Sequence, residues 1–166
     1  MRRGETLGIS QKHFGQGLMQ RMPAIDSARN FLAVVWDGSA PNEATLSAAL
    51  DRLLASYHDA PETSATASKE HAPRQDYSDL YRQTAIRFPE YGKYPIADPT
   101  APFENALMMG DAIDDLVDLT LDMREVVWLH ENIGYDEAMF FFRLLFSHWG
   151  LHARGLLGYL HARQFG

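Results

Sequence analysis

Residues 111–163 read DAIDDLVDLTLDMREVVWLHENIGYDEAMFFFRLLFSHWGLHARGLLGYLHAR, and this stretch decides the fold. On both sides of Asn132-Ile133-Gly134-Tyr135 the apolar residues recur at helical spacing. That predicts two long helices, from about Phe103 to Glu131 and from Asp136 to about Arg163. Gly134 can take a positive φ in the turn and Asp136 is placed as an N-cap, so the pair reads as a long antiparallel hairpin.

Six acids crowd the first of these helices: Asp111, Asp114, Asp115, Asp118, Asp122 and Glu125. They project onto a sector about 100° wide, opposite Ile113, Leu116, Met123 and Val126, as on a solvent-facing helix. Like charges at i,i+4 repel by roughly 0.2–0.5 kcal/mol each, and Asp111/Asp115, Asp114/Asp118 and Asp118/Asp122 all stand so. A cation, an arginine-bearing partner, or basic side chains arriving from elsewhere in the fold would explain such a stripe.

The second helix carries His148-Trp149-Gly150-Leu151-His152, two imidazoles one turn apart. Both project onto the apolar side with Phe141, Leu145, Gly155 and Tyr159, whereas His161 and Gly150 fall on the polar side. Burying an unpaired polar group costs roughly 1–3 kcal/mol, so these imidazoles must be hydrogen-bonded or metal-bound. With the turn centred near Ile133–Gly134, facing residues have numbers that sum to about 267. His152 is then level with Asp115, and His148 with Leu119, beside Asp118. Asp115, at the edge of the acidic sector, is best placed to reach across.

The candidate ligands of a divalent metal are therefore His148, His152, Asp115 and Asp118. The spacing alone is a weak signal, since structural zinc wants four protein ligands and catalytic zinc three plus water. HxxxH also lacks the general-base Glu of HExxH. A structural hydrogen-bonded cluster, a metal site and a polar ligand pocket all fit these residues.

Upstream, Pro23 opens a helix with Ile25, Ala28, Phe31, Leu32 and Val35 on one face, ending at Asp37-Gly38. A second helix starts near Asn42-Glu43 and carries Leu46, Leu50, Leu53 and Tyr57, so residues 23–60 read as a helical hairpin. Residues 61–75 read as a mobile loop, and a third helix covers about Tyr77 to Phe88 within 76–88. Residues 89–102 hold four of the eight prolines, which predicts an irregular segment, either a stiff crossover over the bundle or a lid whose tyrosines cover a site. Residues 1–22 are polar and Gly-punctuated and read as a loosely ordered segment. The expected fold is all-α, about five helices in one bundle over residues 23–166.

Composition narrows the function classes. There is no Cys, hence no disulfide, no thiolate metal site and no thiol nucleophile. No run approaches the roughly 20 apolar residues of a membrane span, and no apolar region follows Arg2-Arg3, so a cytoplasmic location without membrane attachment is expected. A net charge of −7 with scattered arginines opposes nucleic-acid binding.

The C-terminal hairpin resembles an uncharacterised bacterial family, domain of unknown function 5063. The residues that carry this are Asp111, Asp114, Asp115, Asp118 and Asp122, then Arg143, Phe146, His148, Trp149, Gly150, His152, Ala153, Leu160 and His161. The match spans roughly the last 60 residues, and the N-terminal half follows only in its helix pattern. Phe140-Phe141-Phe142 departs from it, standing where a tryptophan-containing segment is expected, which touches packing rather than the Asp/His set. The resemblance implies an all-helical fold and no established activity.

No complete catalytic constellation is present, so no catalytic or cofactor-binding residue is assigned. The leading expectation is a small helical domain without catalytic activity that acts through protein contacts, with self-association as a homodimer. The competing expectation is a divalent-metal bundle built on His148, His152 and Asp115 or Asp118, hydrolytic if a coordination position holds water.

Overall fold

The structure, a computed structural model, describes residues 23–65 and 68–166. The polar segment expected over residues 1–22 lies outside the described residues. Six α-helices and a two-stranded sheet follow one another: α1 (Pro23–Trp36), α2 (Glu43–Asp59), α3 (Tyr77–Arg87), β1 (Lys93–Ala97), β2 (Leu107–Asp111), α4 (Ala112–Asn132), α5 (Tyr135–Leu144) and α6 (Phe146–Phe165).

Local chemistry sets the helix ends. Asn42 and Asp76 cap α2 and α3, their side chains accepting from the amides of Thr45 and Asp79 at 2.9 and 2.8 Å. The C-terminus of α1 is closed from outside: the Arg87 guanidinium of α3 donates to the carbonyls of Val35, Asp37 and Gly38. A cation over the last carbonyls satisfies orphan acceptors and complements the helix dipole. Nothing local in the α1 sequence marks that contact.

Helix α4 is the axis of the fold, touching α1, α3, α5 and α6. Leu116, Leu119, Met123, Val126 and Leu129 of α4 are fully buried, as are Ile25, Phe31 and Val35 of α1 and Leu46, Leu50 and Leu53 of α2. Because α4 is covered on every side, the solvent-facing stripe expected for it does not exist. None of the six acids is exposed, and Asp115 is buried.

Three sequence expectations need correction. First, the fold is mostly helical but not all-α. Residues 107–111, read as part of a helix from Phe103, form β2, and α4 begins only at Ala112. Asp111 sets that start, its Oδ1 accepting from the Ile113 amide at 3.0 Å.

Second, the proline-rich segment expected to be irregular contains β1, paired antiparallel with β2 in the register Tyr94↔Gly110, Pro95↔Met109 and Ile96↔Met108. The flanking bonds, Ala112 N–H to the Gly92 carbonyl and Asp98 N–H to the Ala106 carbonyl, put the bonded pairs at even residues of β1. Pro95 is odd, so its missing N–H falls on the outer edge, where no ladder bond is lost.

Third, the last helix is broken. α5 ends at Leu144 and α6 begins at Phe146. The indole N–H of buried Trp149 donates to the Phe142 carbonyl at 2.9 Å, a side-chain insertion of the kind that kinks helices. Asp136 lies inside α5, whose N-cap is Gly134 at φ 146°.

The described part of 61–75 has no regular structure. It is tied to the bundle by Thr63, which donates to the Asp136 carbonyl at 2.7 Å, and by the Ala72 amide, which donates to Glu125 at 3.0 Å. Among the described residues, no helix is long and apolar enough to cross a membrane.

Candidate metal centre

Helices α4 and α6 cross so that the acids of one face the two histidines of the other. Asp115 Oδ1 accepts from His152 Nδ1 at 2.7 Å, and Asp122 Oδ2 accepts from His148 Nδ1 at 2.8 Å. An ionised carboxylate only accepts, so each imidazole donates from Nδ1 and keeps Nε2 as the nitrogen available to a metal. Both Nε2 atoms face the same oxygen: Asp118 Oδ2 lies 3.4 Å from that of His152 and 4.0 Å from that of His148.

The three ligand atoms of Asp118, His148 and His152 all lie within 4.8 Å of one another. Two ligands on one tetrahedral zinc, each at about 2.1 Å, stand about 3.4 Å apart. The side chains of Asp118 and His152 are each 19% exposed and that of His148 is 49% exposed, so the cluster opens to solvent on the His148 side. The expectation that both imidazoles sit among core residues is therefore corrected. The core face of α6 is Trp149, Ala153, Leu156 and Leu160, and the histidines lie on its margin against α4.

Four residues were named from sequence, and they fall into two kinds. His148, His152 and Asp118 converge. Asp115 does not join them, because one of its oxygens holds His152 and the other accepts from the Tyr94 hydroxyl at 2.5 Å. It orients a ligand. Asp122, outside the named four, does the same for His148. The seven-residue step from Asp115 to Asp122, flanking Asp118 and facing histidines four apart, is the sequence signal that could have placed it.

Tyr94, in the proline-rich segment whose tyrosines are candidates to cover a site, reaches Asp115 from β1. Its ring passes between Gly110 of β2 and Gly155 of α6. A Cβ at Gly110 would lie 2.5 Å from the ring, and one at Gly155 would lie 2.7 Å from the hydroxyl. Gly155 thus admits a tyrosine of the sheet. Gly150, expected on the polar side, is buried against the Phe146 ring.

The whole acidic stripe is accounted for by groups arriving from other elements. Asp111 accepts from Tyr81 at 2.9 Å, Asp114 accepts from Tyr77, and Glu125 is bonded by His71 at 2.9 Å. Electrostatics concentrate at the centre of the stripe. Burial pushes the Asp118 carboxyl above the usual carboxylate range, against the pull of His152 and His148, and does the same to Asp122. The hydrogen bond to Asp115 raises the His152 imidazole above its ordinary value. Burial first, and then the Asp115 carboxylate, keep the Tyr94 phenol protonated.

No protein-family model and no curated protein matches the chain. A similar fold occurs in the crystal structure of protein BF1032 from Bacteroides fragilis, with a TM-score of 0.68 over 87% of this chain and 92% of that one. At 15% identity the likeness is one of fold.

Proposed function

We propose that this protein binds a divalent transition metal through His148 Nε2, His152 Nε2 and Asp118, with Asp115 and Asp122 orienting the two imidazoles. One observation carries the reading: both Nδ1 atoms are bonded to carboxylates, and both Nε2 atoms lie within 4.0 Å of one Asp118 oxygen. Carboxylate–histidine–metal arrangements use this pairing to fix tautomer and ring orientation. A set of two nitrogens and one oxygen, with no thiolate, suits zinc and its first-row neighbours. Three protein ligands leave a position for water, which belongs to reactive rather than structural sites. The resemblance to domain of unknown function 5063 rests on these same aspartates and histidines.

Elemental analysis of untagged protein, followed by thermal melts with zinc, manganese and nickel, tests the reading. A metal at 100 times its Kd stabilises the fold by about 2.7 kcal/mol. The expected result is a metal-dependent rise in Tm that disappears in the double variant His148→Ala/His152→Ala. An unchanged Tm with all three metals would end the proposal.

A second reading, association through protein contacts, is favoured by β2 and the turn before it. Phe103, Leu107 and Met109 are 95%, 76% and 71% exposed, and among the described residues no strand pairs with the outer edge of β2. Light scattering of the wild type against Leu107→Lys/Met109→Lys tests it. A monomer in both samples would count against self-association.

A further inference from the structure

A groove of about 820 Å³ runs between β1 and α6, with Tyr94 and Gly155 in its lining. Its walls are largely apolar, from Ile96, Leu151 and Tyr159, and a Cβ at Gly158 would meet nothing within 4 Å, so the floor is open there. Concave apolar sites of this size with a few placed polar groups are typical of small-molecule binding.

Charge says what kind of molecule fits. The charged side chains lining the groove are Lys93, Arg154 and Arg163, with no carboxylate among them, in a chain of net charge −7. Arg163 is held by Glu43 at 3.1 Å. Lys93 and Arg154 have no ion pair among the described residues. The Arg154 guanidinium is nonetheless fixed in place, 5.0 Å over the Phe146 ring and donating to the Gly150 carbonyl at 3.0 Å. A held guanidinium with unused N–H groups is suited to a carboxylate.

The edge of β1 excludes the main alternative. An extended peptide would bind there by adding a strand, but Pro95 removes the central N–H of that edge. We propose that the groove binds an organic carboxylate with an extended apolar body, of the fatty-acid class, its head at Arg154 and Lys93 and its tail along Ile96, Tyr159 and Gly158. This stands apart from the metal reading.

The test is a titration of the full chain with decanoate below its micelle concentration, in EDTA, followed by amide NMR shifts. Saturable shifts confined to residues 93–97 and 151–163 are expected. Affinity should fall at least tenfold in Lys93→Glu/Arg154→Glu, where both side chains are exposed and melting is unaffected, and in Gly158→Leu, which fills the floor. Absence of saturable shifts, equal binding of decyltrimethylammonium, or full affinity in Lys93→Glu/Arg154→Glu would overturn the assignment. The charge-reversal pair decides the matter even if Gly158→Leu does not fold.

Discussion

Two helix seams of this protein are built on opposite principles. Between α1 and α2 the contact is made by aliphatic and aromatic side chains such as Phe31, Val35, Leu46 and Leu50, all buried. Between α4 and α6 the contact includes Asp115, Asp118, Asp122, His148 and His152, with His152 bonded to Asp115 and His148 to Asp122 across the seam. Apolar packing stabilises without regard to which atoms face which. Desolvated acids and imidazoles cost free energy unless each is paired, so they are a poor way to join two helices and a good way to fix the direction of lone pairs. The difference separates the part of the molecule that supplies stability from the part that carries the proposed metal site.

That division can be broken by mutation. The largest effect is expected at the apolar seam: Leu50→Ala should cost about 2–5 kcal/mol in denaturant melts while leaving the metal-induced stabilisation intact. If metal binding fell in proportion, the two seams would not be independent. At the polar seam, Asp122→Asn should weaken metal binding by about 10–100-fold in a competition titration, with little change in the metal-free Tm. Asp115→Asn should do the same, and an undiminished affinity in both would remove the orienting role of these carboxylates.

The smallest effect is expected where α6 meets α2, at the ion pair of Glu43 with Arg163, 3.1 Å apart. Its own backbone amide, and then Arg163, hold the Glu43 carboxyl below its ordinary value of 4.5. A depressed carboxyl contributes stability above its unfolded pKa and loses it as the pH falls through the folded one. Wild type should therefore lose slightly more Tm than Glu43→Gln on acidification from pH 5 downward. Parallel curves would show that the pair contributes nothing measurable, as many surface pairs do.

What could be read in the sequence follows the range of the interactions. The starts of α1, α2 and α3 were legible because Pro23, Asn42 and Asp76 act on their own next turn. The pairing of His152 with Asp115 was also within reach, because a short turn at Gly134 fixes the facing residues of two helices. The break at Leu145 was not, since it depends on an indole seven residues from the carbonyl it takes. β1 was hidden by its proline, which is harmful or harmless according to which edge it faces. Tyr77, Tyr81 and Tyr94 escaped because nothing in their own segments says that their hydroxyls meet the acids of α4. The acidic stripe was correctly seen as unusual, but periodicity could not tell a wet face from one covered by other elements.

The placement of Pro95 has a consequence for assembly. A two-stranded sheet has two edges at which further strands can be added, and among the described residues one of them is blunted at its centre by Pro95. The remaining edge, along Leu107 and Met109, gives the sheet a valence of one. Two copies that joined there would use up both open edges in a single four-stranded sheet whose outer strands each carry Pro95, so strand addition is disfavoured beyond the dimer.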